Sequence, residues 1–178
     1  MIRVPPIRFD IDETQWAADD WGFNCGPAAL CAVLGRTPAE IRPHLGDFEQ
    51  KGYTNPRLMA AILRGLRIPF RRVYECPGSH EAVDAVYPAF GLVRIQWGGP
   101  WTKSGVPVRV RYRHTHWIAM HNPANGRSMV FDVNAMCVRG WIDRGTWAQD
   151  LVPWLLGQCV PQADGRWWPT HCWEILNG

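Results

Sequence analysis

The sequence predicts an α+β domain with N-terminal helices packed on a C-terminal antiparallel sheet. Two observations carry this. Three helix-start signatures fall before residue 66, and after it apolar runs bounded by turn residues take over. A third observation sets the scale: 178 residues without internal repeat, low-complexity tract or linker fit one domain, so 1–178 is expected to be a single unit.

Taken in order, an extended N-terminal segment leads to "NCGPAALCAVLG", which predicts a helix over about 26–34 with Pro27 in its first turn and Gly35 closing it. In "TPAEIRPHLGDF", Thr37 caps a second helix, Pro38 occupies its first position and Glu40 completes a capping box. Asn55 and Pro56 open a third, whose apolar stripe is Leu58, Met59, Ile62 and Leu63, up to Gly65. Strands follow at "IPFRRVYE" and "AFGLVRIQW", then a Gly/Pro-rich loop "GGPWTKSGVP". "VRVRYRHTHWIAMH" and "SMVFDVNA" predict two more strands joined across "NPANGR". "DRGTWAQDLVPWLLGQ" predicts a helix bent at Pro153, and "THCWEILN" a last strand.

Hydrophobic residues at 47% and charged ones at 20% are globular proportions, and no apolar run approaches the roughly 20 residues needed to span a bilayer. The segment "MIRVPPIRFDIDETQ" has acidic residues and no apolar core of a leader peptide, so a cytoplasmic protein without membrane contact is expected. Net charge is only +3, although seventeen arginines stand against two lysines. The six cysteines form no C-x-x-C pair and no regular spacing, which argues against a zinc ribbon or redox dithiol, and neither metal nor cofactor is expected. Most of them are read as thiols packed as small hydrophobes. Eleven tryptophans, with Trp167, Trp168 and Trp173 near the C-terminus, supply core and groove area.

Cys25 stands apart because it sits where a helix begins. A thiol has a free pKa of about 8.5, and the unpaired N–H groups and dipole of a helix N-terminus favour its thiolate. The Cys25 N–H is also a natural oxyanion donor, and Gly26 is read as letting a ligand approach the backbone. A nucleophilic thiol needs a base in reach and the base needs an orienting partner. "THWIAM" offers His116 at the start of an apolar strand, and "VFDVNA" offers Asp132 on the next. The two are opposite or diagonal, depending on register.

In this order, "NCGPAAL", "GYTNPRLMAAILRGLRIPF", "THWIAM", "FDVNA" and "GTWAQDLVPWLL" resemble a papain-like cysteine peptidase of the bacteriocin-processing, double-glycine type, over most of the chain. The resemblance implies a papain-like fold with Cys25 as nucleophile, His116 as general base and then acid, and Asp132 as orienting carboxylate. It also implies a glutamine upstream of the cysteine that completes the oxyanion hole. Gln15 is the only upstream glutamine, at a longer spacing than the family uses, and Asn24 is the alternative donor.

Neighbouring residues offer competing assignments. His114 shares strand parity with His116, and Asn134 competes with Asp132 as orienter. Cys31 is read as core, and His44, His80 and His171 as surface or hydrogen-bonded core residues. Arg109, Arg111 and Arg113 alternate on the strand face opposite His114 and His116, where a solvated face outweighs a binding patch. Trp16, Trp21, Trp97, Trp101 and Trp117 suit a narrow groove for an extended, small-residue tail. The expected function is a thiol hydrolase that cleaves a peptide or isopeptide bond through a Cys-His-Asp triad and a thioester, with a protein or peptide as substrate. Alternatives are a transglutaminase or amidase with the same triad, or a non-catalytic protein- or nucleic-acid-binding module on that scaffold. Nucleic acid is not the expected partner.

Overall fold

Six strands among the described residues, 4–76, 85–138 and 140–176 of a computed structural model, form one open antiparallel sheet. They are β1 (Phe70–Glu75), β2 (Phe90–Trp97), β3 (Thr115–His121), β4 (Met129–Phe131), β5 (Trp141–Asp143) and β6 (Trp167–Ile175), in the spatial order β1-β6-β2-β3-β4-β5. Among the described residues five α-helices precede the first strand, and the later helical segments are inserted between strands of an antiparallel sheet, so the molecule is α+β as the sequence predicts.

Strand alternation divides the buried side chains into two cores. Leu92, Trp117, Ala119 and Trp173 point to one face and pack with Leu30, Met59 and Leu63 of the N-terminal helices. Val93, Ile95, Ile118, Met120 and Cys172 point to the other and meet Trp147, Val152, Leu155 and Leu156. Helical segments therefore cover both faces, which is why every residue of β2 is buried and its sequence runs almost continuously apolar. Each such aliphatic side chain contributes about 1.5–3 kcal/mol by leaving water.

The three expected helices are present: α2 (Cys25–Leu34), α3 (Pro38–Ile41) and α5 (Pro56–Gly65). Gly35 ends α2 at φ 60°, and the Thr37–Glu40 capping box and the Asn55 cap form as read. Short α4 (Phe48–Lys51) lies between α3 and α5. The N-terminal segment is corrected from extended to helical, because α1 (Ile11–Trp21) forms behind a capping box between Asp10 and Glu13. Only Ala17 and Trp21 of α1 are buried, so its apolar stripe is faint while its cap signature is strong.

Two strand expectations are shortened. Residues 108–114 do not extend β3: they hold one helical turn, α6 (Val108–Arg111), and a bend. The partner strand explains this. Gln96 pairs with Thr115 and Trp97 N–H donates to His114 at 3.0 Å, after which the chain turns away at Gly98, leaving the arginine stretch no neighbour to pair with. In "SMVFDVNA", β4 stops at Phe131, because the Asp132 carboxylate accepts from Asn134 N–H and turns the chain into a 3-10 helix over Val133–Val138. Short β5 had no expectation. The C-terminal helical run comprises α7 (Arg144–Thr146), a π turn over Trp147–Leu151 and α8 (Val152–Cys159), and the irregularity sits just ahead of Pro153. No helix of the described residues is long and apolar enough to cross a membrane.

Candidate active site

The first residue of α2 is Cys25, half-buried, with its backbone N–H among the helix's unpaired donors. Asn24 caps the helix through Oδ1, which accepts from Gly26 N–H at 3.3 Å, and its Nδ2 donates to the Gly52 carbonyl at 3.0 Å. The loop ahead of α5 is thus tied to the helix start. A Cβ on Gly26 would lie 2.3 Å from Thr54 Oγ1. Gly26 is therefore needed for the close approach of that loop, and its expected service to a ligand is corrected.

His116 and Asp132 are joined by a 2.8 Å hydrogen bond from Nε2 to Oδ1, with His116 5% and Asp132 0% exposed. Continuing the β3–β4 register beyond Ala119↔Phe131 sets Asp132 against Ile118, so Asp132 is the diagonal partner of His116 on the same face. The ring of His116 stacks on Trp97, with centroids 5.9 Å apart and planes at 28°. Nε2 is occupied by the carboxylate, which leaves Nδ1 to face the thiol. The Cys25 thiol and the His116 ring share a hydrogen bond, and the sulfur also takes the Trp117 backbone N–H.

Three titrations are coupled through these contacts. Burial alone pushes the Cys25 thiol up, but the His116 charge and the hydrogen bonds from His116 and Trp117 outweigh it and hold the thiol below its ordinary value. Burial pulls His116 down, but the charges of Asp132 and Cys25 and their hydrogen bonds raise it well above the ordinary histidine range. Burial likewise pushes Asp132 up, and His116, Trp147 and Asn134 together bring it below the ordinary carboxylate value. All three shifts run toward the charged form: thiolate, imidazolium and carboxylate. At Cys31 and Cys172 the nearby charges of Arg36 and Arg144 are too weak to offset burial. Burial drives both up, Cys172 to about 12.

Gln15 is not brought to this site. It lies on the exposed side of α1, where its Nε2 donates to Asp19 Oδ1 at 2.9 Å, one helical turn on. Helix formation over 11–21 removes the slack that would let Gln15 fold back. Asn24 lines the cleft, but its amide is committed to Gly52. The cleft has a volume of about 660 Å³ and opens beside Cys25 between the 52–55 loop and the α6 turn. Of the five tryptophans expected to line a groove, only Trp117 does so among the described residues, and Tyr53 and Tyr112 supply the other aromatic walls. Trp16 is 62% exposed on α1, Trp21 is core, and Trp97 and Trp101 lie against His116 and His114.

The competing residues separate clearly. His114 precedes β3, and its ring lies tilted at 38° against Trp101 with centroids 3.9 Å apart. Asn134 is exposed and contributes its backbone N–H to Asp132. Cys31 is core, His44 is exposed, and His171 is buried, with ring contacts to Thr170 and Glu75 and a pKa pulled down to about 4, chiefly by burial. His80 lies outside the described residues.

Two contributors escaped the sequence reading. Trp147 Nε1 donates to Asp132 Oδ2 at 2.9 Å from a fully buried position. "GTWAQDLVPWLL" marked that helix but not this role. Arg94 is 7% exposed and reaches the cleft from the middle of β2. Its signal was available as one charge inside the apolar run "FGLVRIQW". Arg109 and Arg113 also line the cleft, so the arginine stretch faces the thiol's cavity instead of standing opposite the histidine. Comparison of the chain with protein-family models, with curated proteins and with solved structures finds no match.

Proposed function

We propose that the chain is a papain-like thiol hydrolase acting on a peptide or isopeptide bond. The observation that carries this reading is the hydrogen-bonded chain from Cys25 at a helix start through His116 to the buried Asp132. The Cys25 thiolate attacks the carbonyl carbon of the scissile amide and forms a C–S bond, while the Cys25 N–H supports the oxygen that becomes negative. His116 then gives its Nδ1 proton to the amine, the C–N bond breaks and a thioester is left. Water, deprotonated by His116, attacks that thioester and returns the thiolate. Asp132 keeps Nε2 protonated and stabilises the imidazolium throughout. Among the described residues, Thr54 Oγ1 is a buried side-chain group without a hydrogen-bond partner at the cleft, and it supports the oxyanion in place of Gln15.

A panel of peptide, isopeptide and non-peptide amide substrates, with mass spectrometry of the quenched enzyme, tests the reading. The expected result is turnover of a peptide or isopeptide and an acyl adduct on Cys25 that Cys25→Ala abolishes. Turnover of the non-peptide amide alone contradicts it and favours an amidase, and amine transfer without hydrolysis favours a transglutaminase. One observation favours a second reading, a binding module on this scaffold: Gln15 is turned away from the cleft. Full biological effect in Cys25→Ala selects that reading.

A further inference from the structure

The cleft beside Cys25 carries three guanidinium groups, from Arg94, Arg109 and Arg113, and no acidic side chain among its described lining residues. Arg94 is the unusual one. At 7% exposure, its Nη1 and Nη2 reach only the neutral hydroxyls of Thr170 (3.4 Å) and Thr115 (2.9 Å), and its buried Nε has no partner among the described residues. The guanidinium lies over the Tyr112 ring, 5.9 Å from the centroid. Charged side chains are rarely buried unless paired, and the negative charge that Arg94 feels at this site is that of Cys25, the reacting group itself, with the Tyr112 phenol beside it. His171, the nearest basic ring, is neutral at ordinary pH. Arg94 sits opposite Trp117 in the β2–β3 ladder, and Trp117 gives its backbone N–H to the Cys25 sulfur, which puts the cation close to the reacting thiol. Arg109 and Arg113 reach the same cavity from the exposed α6 turn and the bend after it, so a cation in the wall is joined by two at the rim.

We propose that Arg94, with Arg109 and Arg113, forms a carboxylate-binding subsite that selects substrates carrying a carboxylate next to the scissile amide. This rests on the thiol-hydrolase reading and names its substrate class. A guanidinium presents donors in a fork that matches a carboxylate, and here Nε and an Nη group are the edge with spare capacity. The carboxylate has two sources, an acidic side chain beside the scissile bond or the free C-terminus of a short peptide. A nucleic acid fits less well, because a buried guanidinium in a cavity of about 660 Å³ takes one anionic group, not an extended phosphate chain.

The test uses alkylation of Cys25, in which the sulfur forms a C–S bond and iodide leaves. The rate with anionic iodoacetate is divided by the rate with neutral iodoacetamide, in the wild type, in Arg94→Gln and in Arg109→Gln/Arg113→Gln. The expected ratio falls about tenfold in Arg94→Gln and about threefold in the exposed double variant, which leaves the core untouched. Matched peptides ending in carboxylate or carboxamide, or carrying Glu or Gln beside the scissile bond, then identify the source by which pair the wild type separates. Ratios unchanged in both variants overturn the subsite while Cys25 still alkylates fast. Slow alkylation of Cys25 by both reagents in the wild type overturns the hydrolase reading itself. Protection of Cys25 by a short single-stranded oligonucleotide, but by neither carboxylate peptide, overturns the substrate class in favour of a nucleic acid.

Discussion

The indole N–H of Trp147 donates to Asp132 Oδ2 at 2.9 Å, and both residues are 0% exposed. Asp132 Oδ1 accepts from His116 Nε2 and from Asn134 N–H, so three donors hold a fully buried carboxylate. The relationship joins the two cores of the molecule: a helix packed on one face of the sheet steadies the acid that orients a histidine serving a thiol on the other side.

Trp147→Phe keeps most of the packing and removes one donor. The buried Oδ2 is left unsatisfied, at a cost of about 1–3 kcal/mol. Urea unfolding should show a lower midpoint at unchanged slope. The Asp132 pKa should rise, because one of the hydrogen bonds that lower it is gone. An unchanged midpoint contradicts the role assigned to the indole.

Asp132→Asn changes a charge as well as a hydrogen bond. The carboxylate is the first of the influences that raise His116 against its burial, so its removal should lower the His116 pKa. The active form requires thiolate and imidazolium together, which exists above the Cys25 pKa and below the His116 pKa. The alkaline limb of the pH–rate profile should therefore move to lower pH in Asp132→Asn, and kcat/KM should fall on the order of 10²–10⁴-fold. An alkaline limb that stays in place assigns it to another group.

Gln15→Ala should leave kcat within about twofold of the wild type, since its amide is bonded to Asp19 on an exposed helix face. Loss of a true oxyanion donor lowers kcat by about 10²–10³-fold. A loss of that size on substrate turnover places Gln15 in the site after all.

Gly26→Ala introduces a methyl into the space held by the Thr54 side chain. Overpacking of this kind costs about 1–3 kcal/mol. Thr54→Ala in the same chain should relieve only part of this, because the Thr54 Cβ would itself lie 2.6 Å from the added methyl, whereas Thr54→Gly should relieve most of it, and the double-mutant cycle measures the contact directly. Additive losses mean that the two residues do not meet.

Much of this was readable in advance where one local rule decides. Cys25 at a helix start, the Thr37 and Asn55 caps and the apolar stripe of α5 are set by neighbouring residues, and the structure has them. His116 and Asp132 were legible as a pair because a turn between two apolar runs limits their separation to one or two registers. The failures share a different cause. Alternation over 108–114 looks like a strand, but a strand needs a partner, and β2 ends before it can provide one. Gln15 is kept from the site because Asp10 and Glu13 nucleate a helix, and spacing to Cys25 alone carries no sign of it. Arg94 was visible as a charge in an apolar strand, yet its meaning depends on what the sheet brings beside it.

The most direct test follows alkylation of each cysteine by iodoacetamide as a function of pH, resolved by peptide mass spectrometry. Cys25 should react faster than Cys31, Cys159 and Cys172 near neutral pH. Its rate should titrate with a midpoint below the free-thiol value of about 8.5, because His116 and the Trp117 N–H stabilise the thiolate. His116→Ala should move that midpoint upward. A Cys25 rate no greater than that of Cys31 or Cys159, or a midpoint at or above about 8.5 in the wild type, contradicts the activated thiol on which the proposed chemistry depends.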